Sequence, residues 1–293
     1  MGHEVMKTSV IISTYNSPLW LQKVLWGYFA QDDANFEIIV ADDGSDASTG
    51  ELLTEMARFS PVPITHVWQP DDDFRKCVIL NKAIAVARGD RILTTDGDCV
   101  PRRDFIRVHA RYARSDRFLS GGYFKLGREL SDSIDRDLIQ GQRAFSAPWL
   151  ARRGMPINTK AFKLIAVSPF DTLLNGVVPT RRTWNGHNAS CDRSLAIRVN
   201  GFNEDMRYGG LDGEFGMRLN HLGVLGDQIR YSAVVLHLHH GRGYVTPEMI
   251  EKSRAVRRRT REGKKTWADR GIDQWLRPDG EVTLAAGDRL VRF

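Results

Sequence analysis

The first 125 residues alternate between short apolar, β-branched runs and longer stretches with helical spacing. "SVIIS" (9–13), "FEIIVA" (36–41), "ITHVW" (64–68) and "RILTTD" (91–96) read as strands. Between the first two, "SPLWLQKVLWGYFAQ" sets Leu19, Val24, Leu25 and Tyr28 at near-helical spacing. Ser17 is its expected N-cap and Pro18 its first residue. "SDASTGELLTEMARF", "CVILNKAIAVARG" (ended by Gly89) and "RDFIRVHARYAR" read as helices, and "RFLSGGYFKL" as one further strand.

Strands that alternate with helices predict βαβ units, hence an α/β fold with a mostly parallel sheet. Ligands of such sheets gather at the carboxyl ends of the strands. The polar stretches there, "STYNS", "ADDGSD" and "TTDGDC", are expected to share one rim.

Residues 127–182 show no clear period. Two basic pairs, Arg152–Arg153 and Arg181–Arg182, flank proline-containing text that reads as a long, partly irregular insertion. From Trp184 the pattern resumes with "GHNASCDRSLAIRVNGF". An amphipathic helix follows in "YGGLDGEFGMRL", with Phe215, Met217, Leu219 and Leu222 expected inside, and then the strand "YSAVVLHLHH". A last helix is expected from its N-cap Thr246 and Pro247 to Gly263.

Composition sharpens this picture. The chain has 293 residues, 42 % of them hydrophobic, enough for one large domain or one with an appendage. No apolar run nears the roughly 20 residues of a membrane span. The start lacks a signal-peptide layout, and Met6 stands where a myristoylation signal needs Ser or Thr, so "MGHEV" is set aside. Three separated cysteines (Cys77, Cys99, Cys191) fit reduced thiols in a cytoplasmic protein. The net charge is +6, yet residues 252–265 alone hold eight Lys/Arg against one Glu. The body is therefore near neutral, which argues against a nucleic-acid binder. The basic segment is either a solvated helix face or a dock for anionic lipid at the inner membrane face.

Candidate chemistry follows from the strand ends. Asp96, Gly97 and Asp98 close a strand with two carboxylates that repel unless solvated or neutralised. D-G is a common turn pair, but on this rim the three residues fit a divalent cation held by hard oxygens. Asp42 and Asp43 either cap the next helix or accept from a base or ribose. Asp212 is either an N-cap carboxylate or a general base beside the Gly209–Gly210 turn. "HLHH" raises the case for metal or phosphate contact, and alternation puts His237 and His239 on one face and His240 on the other. No GxGxxG or Walker A loop follows the first strand, which excludes the common dinucleotide and P-loop sites.

Together "SVIISTYNSP", "EIIVADDGSD", "HVWQPDDDFRKCVILNKAIAVARGDRILTTDGDCVP", "GHNASCDRSLAIRVNGF" and "YGGLDGEFGMRL" resemble, in order, a family 2 glycosyltransferase of the GT-A fold. The second half is similar to the branch with a galactosyltransferase-like carboxyl part. The likeness implies a GT-A domain over 7–245, with a nucleotide-binding half (7–125) and an acceptor-binding half (126–245). A basic helical extension would fill 246–293. It further implies that Thr14, Tyr15 and Asn16 line the nucleotide site, with Asp42 at the base and Asp43 nearer the ribose. Arg75 would lie near the pyrophosphate and Asn81 near the base or ribose. Asp96, Gly97 and Asp98 match the DxD motif, with Asp98 a direct ligand of Mn²⁺ or Mg²⁺ and Asp96 either orienting the ribose or reaching the metal through water. His237, or else His240, would complete that site. Asp212 matches the catalytic base, with Leu211 replacing the usual preceding Glu. Asn188, Gly209, Gly210 and Glu214 would contact donor sugar or acceptor. The implied activity is inverting transfer from a UDP-linked sugar to a glycan or glycolipid acceptor in surface polysaccharide synthesis. A nucleotidyltransferase and a non-catalytic binding module are the competing classes.

Overall fold

The computed structural model describes residues 7–156, 159–166, 168–241 and 246–293. "MGHEV" lies outside them, as does "RGYV" after Gly241. Four strands, β1 (Thr8–Thr14), β2 (Phe36–Asp42), β3 (Ile64–Trp68) and β4 (Arg91–Asp96), run parallel. The crossovers between them are α1 (Pro18–Phe29), α2 (Ala47–Ala57) and α3 (Lys76–Val86). After β5 (Cys99–Pro101) and α4 (Phe105–Tyr112), "RFLSGGYFKL" splits into β6 (Arg117–Ser120) and β7 (Gly122–Lys125), which belong to different sheets. Two glycines force the split. A Cβ on Gly121 would fall 2.1 Å from Asn188 Oδ1, and one on Gly122 would fall 2.2 Å from the Arg230 carbonyl.

The expected irregular insertion is five short helices: α5 (Arg128–Ser133), α6 (Arg136–Gln140), α7 (Ala147–Arg152), α8 (Phe162–Ile165) and α9 (Phe170–Val177). Leu130, Ile134, Ile139 and Leu150 tie it to the core. The chain then continues through β8 (Ala189–Asp192), α10 (Arg193–Arg198), α11 (Leu211–His221), β9 (Leu225–Gln228), β10 (Val234–His237), α12 (Pro247–Glu262) and β11 (Arg289–Arg292). The large sheet has the order β11-β3-β2-β1-β4-β8-β6-β9, and β5-β10-β7 forms a small one. Helices cover both faces, and two apolar clusters fill the layers above and below the sheet.

Several local expectations change. Ser17 precedes α1 but makes no capping bond with its side chain. Helix α3 ends at Val86, and Gly89 instead packs under β1, where a Cβ would meet the Lys7 carbonyl at 2.6 Å. On α11, Met217 and Leu222 are half-buried, while Glu214 and Arg218 share the inner face with Phe215 and Leu219. Thr246 does cap α12, accepting from the Met249 N–H. The tail is not purely helical, because β11 pairs antiparallel with β3. Its register is held from below by a buried ion pair, Lys82 Nζ to Asp288 Oδ2 at 2.7 Å. No described helix is long and apolar enough to cross a membrane.

Candidate active site

Parallel register sets the site. Ser13 of β1 pairs with Asp96 of β4 and Thr14 with Asp42 of β2, so three polar strand ends finish at one level. A cavity of about 890 Å³ opens there, bounded by the starts of α1, α3 and α11 and by the end of β10. Thr14, Tyr15, Asp43, Asp96, Gly97, Asp98, Gly209, Gly210, Asp212, His237 and His240 all line it.

Asp96 forms the floor. Its Oδ1 accepts from Ser13 Oγ (2.9 Å) and from Lys76 Nζ (2.5 Å). Burial alone raises a carboxyl, but the Lys76 ammonium outweighs it and holds Asp96 well below the usual range. Gly97 turns the chain by donating its N–H to the Ser13 carbonyl (2.8 Å). Asp98 faces the other way, with Oδ2 3.2 Å from His240 Nε2. Burial, then the neighbouring Asp96, push the Asp98 carboxyl up. The rings of His237 and His240 stack, with centroids 5.3 Å apart. The strand ends at His237, so alternation stops there and His237, His239 and His240 all reach the cavity.

These residues fit a divalent cation. Ligand atoms of Asp98, Cys99 and His237 lie within 4.8 Å of one another. Burial and the adjacent Asp98 hold the Cys99 thiol well above its usual range, and its Sγ–H donates to Asp98 Oδ1 (3.3 Å). The carboxylate oxygen and imidazole nitrogen of this group are donors suited to Mn²⁺ or Mg²⁺.

Asp212 is in the first turn of α11, entered through Gly209 and Gly210, whose φ values of 106° and 82° favour glycine. The Gly186 N–H donates to its carboxylate, and a Cβ on Gly186 would fall 2.2 Å from Asp212 Oδ1. That Oδ1 is buried with no hydrogen-bond partner among the described residues. Burial lifts the Asp212 carboxyl to about 6, with Lys76 pulling it down and Asp96 pushing it up. Thr14 Oγ1 and His187 Nε2 are likewise buried and unpartnered beside the same space. Burial drives His187 down to about 4, so its ring is neutral near pH 7. On the outer side Asp43 accepts from Gln69 Nε2 (2.6 Å) and the Arg75 N–H (2.8 Å), and burial raises it to about 6. Tyr15 OH donates to Asp71 (3.0 Å).

Other expected residues stand elsewhere. Asp42 is fully buried and spent on the Ser45 N–H (2.8 Å) and His66 Nε2 (2.9 Å), so Asp43 alone of the pair faces the cavity. Asn16 sits just outside, its Oδ1 accepting from the Asp46 N–H. The Arg75 guanidinium turns to the Pro70 carbonyl and Asp72. Asn81 is buried against Phe202 and Glu204. Asn188 links β7 to the residue that precedes β10 by donating to the Gly122 and Ala233 carbonyls. Glu214 is buried with Arg218 and Thr260. The sequence reading passed over Lys76 and His187. Lys76 adjoins the chosen Arg75, and His187 lies between the glycine that braces Asp212 and the chosen Asn188.

The profile of glycosyl transferase family 2 matches residues 9–172, more than half of the chain. The chain belongs to this family. Among curated relatives, YfnE of Bacillus subtilis (strain 168), an uncharacterised glycosyltransferase, is 24 % identical over 261 residues, spanning 80 % of this chain and 65 % of that one. The fold is similar to mannosyltransferase PcManGT from Pyrobaculum calidifontis in complex with GDP-Man and Mn²⁺, with TM-score 0.54, 19 % identity, and coverage of 83 % and 59 %. It is also similar to S. aureus TarS 1-349 in complex with UDP-GlcNAc, with TM-score 0.56, 17 % identity, and coverage of 86 % and 65 %. The chain thus spans under two thirds of each of these proteins. The architecture, a mostly parallel mixed sheet flanked by helices, is the GT-A glycosyltransferase fold.

Proposed function

We propose that this chain is an inverting, metal-dependent glycosyltransferase that moves a sugar from a nucleoside-diphosphate sugar, UDP-linked, to a hydroxyl of a surface-glycan acceptor. One observation carries the reading. A buried carboxylate with an unpartnered oxygen, Asp212, shares a cavity with the Asp96–Asp98 pair and its lysine and histidines.

In this reading Asp43, Tyr15 and Thr14 take the nucleoside. Asp98 with His237 and His240 would hold Mn²⁺ or Mg²⁺, and Asp96 would orient the ribose or act through water. The ion supplies charge neutralisation to the departing diphosphate. Asp212 accepts the proton of the acceptor hydroxyl as that oxygen bonds to C1. The C1–O bond to the diphosphate breaks, its electron pair leaving with the phosphate. Attack from the face opposite the leaving group inverts an α-linked donor into a β-glycoside. Lys76 stays fixed between the carboxylates and keeps the floor of the site from carrying their full negative charge.

The test is a thermal-shift panel of UDP-, GDP-, CMP- and dTDP-sugars with and without Mn²⁺, since a ligand of the folded state raises its melting point. NMR of the product made from the best binder then reads its anomeric configuration. A UDP-sugar should stabilise most, only with metal, and the product should be β. Pyrophosphate release from a nucleoside triphosphate and a sugar phosphate would instead identify a nucleotidyltransferase. Binding without any turnover would identify a non-catalytic module.

A further inference from the structure

Exposed apolar side chains are mostly scattered, but Phe162, Ile165, Phe170, Leu173 and Val177 all stand on α8 and α9, each 44–61 % exposed. Helix α9 is inverted. Its polar residues face the body: Asp171 Oδ2 accepts from Ser232 Oγ (2.7 Å), Thr172 bonds Tyr112 OH (2.7 Å) and Asn175 accepts from the Tyr231 N–H (2.9 Å). Its outward stripe is Phe170, Leu173 and Val177, spaced i, i+3 and i+7. A surface helix in water does the reverse, so the medium outside this face is not simply water.

Charge identifies the medium. Between residues 150 and 182 the cations are Arg152, Arg153, Lys160, Lys163, Arg181 and Arg182, and the one acid, Asp171, is turned inward. An apolar stripe carried by a segment rich in cations and with no outward acid of its own matches the headgroup and acyl boundary of an anionic bilayer. A second copy of the chain would set like-charged faces together, which is costly. The basic helix α12 is a poorer anchor. Its Val256 is buried with Ser253 and Thr260 on the side that covers α11.

The patch also adjoins the site. Lys163 Nζ donates to the Tyr123 carbonyl (3.1 Å) and lies 5.1 Å from its ring centre. That ring meets His187 at 5.0 Å and His237 at 5.8 Å. We propose that the α8–α9 face docks on anionic phospholipid, inserting these apolar side chains at the interface so that the cavity opens beside the lipid surface. Only the use made of this docking, presenting a lipid-linked acceptor, rests on the glycosyltransferase reading. The docking itself is measured without substrate and fails separately.

The experiment is flotation with phosphatidylcholine vesicles, alone or with about 30 mol % phosphatidylglycerol. The wild-type chain should float with the anionic vesicles, weakly with neutral ones, and be released by salt near 0.5 M, where the Debye length falls to roughly 4 Å. The pairs Phe170→Asp with Leu173→Asp and Arg181→Glu with Arg182→Glu should each weaken partitioning at least about tenfold, with melting points unchanged. The control pair Arg254→Glu with Arg258→Glu should leave it within about twofold. Wild-type protein that floats with neither vesicle overturns the proposal. So does flotation that survives both α9-side pairs, or is lost only in the α12 pair. A dimer in light scattering that the Phe170/Leu173 pair dissolves, without any flotation, would assign the face to self-association instead.

Discussion

Lys76 Nζ lies 2.5 Å from Asp96 Oδ1 and acts electrostatically on Asp212 and Asp98 as well, so one ammonium serves three carboxylates. Lys76→Met leaves them uncompensated in a partly dry cavity, where unpaired charge is costly. The variant should bind UDP more weakly and lose about 100-fold in kcat/KM. The acid limb of its rate profile should move to higher pH, because Asp212 loses the group that pulls its carboxyl down. Lys76→Arg should restore the position of the limb. A limb that does not move in Lys76→Met would show that Lys76 is a packing residue.

In its proposed role Asp212 is a base only when ionised, so turnover should rise with pH and reach half its plateau near 6. Stability runs the other way. Its folded-state pKa, like that of Asp43, is raised by burial from the ordinary carboxyl value of 3.8 to about 6, so ionisation costs the folded state. That contribution is fully present below about 4 and is lost as pH climbs through about 6. Asp212→Asn should keep UDP binding, lose roughly 10³-fold in kcat, and melt higher than wild type at pH 7. Wild-type activity with the acceptor would remove Asp212 from its role.

Gly186→Ala tests the brace behind the base. The new methyl would sit 2.2 Å from Asp212 Oδ1, so the carboxylate must turn away. A displacement of this kind should cost about 100-fold in kcat while the Kd for UDP stays within about twofold. Isothermal titration beside steady-state kinetics separates the two effects. Equal losses in both would mean that the whole rim had moved.

Asp288→Ala strands Lys82 in the core, where both partners are at most 2 % exposed. Lys82 keeps Gln69 Oε1 (3.1 Å) and the face of Trp275 (4.4 Å), neither of which neutralises it. The expected loss is about 3 kcal/mol in urea unfolding. The Lys82→Met, Asp288→Ala double variant should recover part of it.

The rim was legible because a parallel sheet brings strand ends to one level whatever the side chains are. That brought Thr14, Asp43 and Asp96 to one rim, with Asp98 in the turn that follows, whereas Asp212 and His237 line the same cavity from other elements and were grouped with it only by the family resemblance. The face on which a polar side chain points was less legible. Asp42 and Asp43 are equivalent as letters, yet the residue still within the β2 pairing points into the protein and the next one does not. Asn81, Asn188 and Glu214 are motif residues whose polar groups are spent inside the fold, the two amides on backbone groups and Glu214 on the Arg218 and Thr260 side chains, a use that the sequence alone does not separate from ligand contact. At "HLHH" the period of two applied only as far as the ladder ran. β9 and β11 escaped notice because four-residue strands with exposed or polar positions lack the apolar density that marks the inner strands.

The pairing of β11 with β3 has a further meaning. The β3 strand would otherwise present unpaired N–H and C=O groups along its outer side, a template for adding a strand from another molecule. The arm that covers it is exposed along its length and grips by ladder bonds, by Arg289 stacked 4.3 Å from the Trp68 ring, and by Asp288 beneath. Loosening that arm would bare this edge and make the protein sticky, so the last residues of the chain guard its colloidal behaviour.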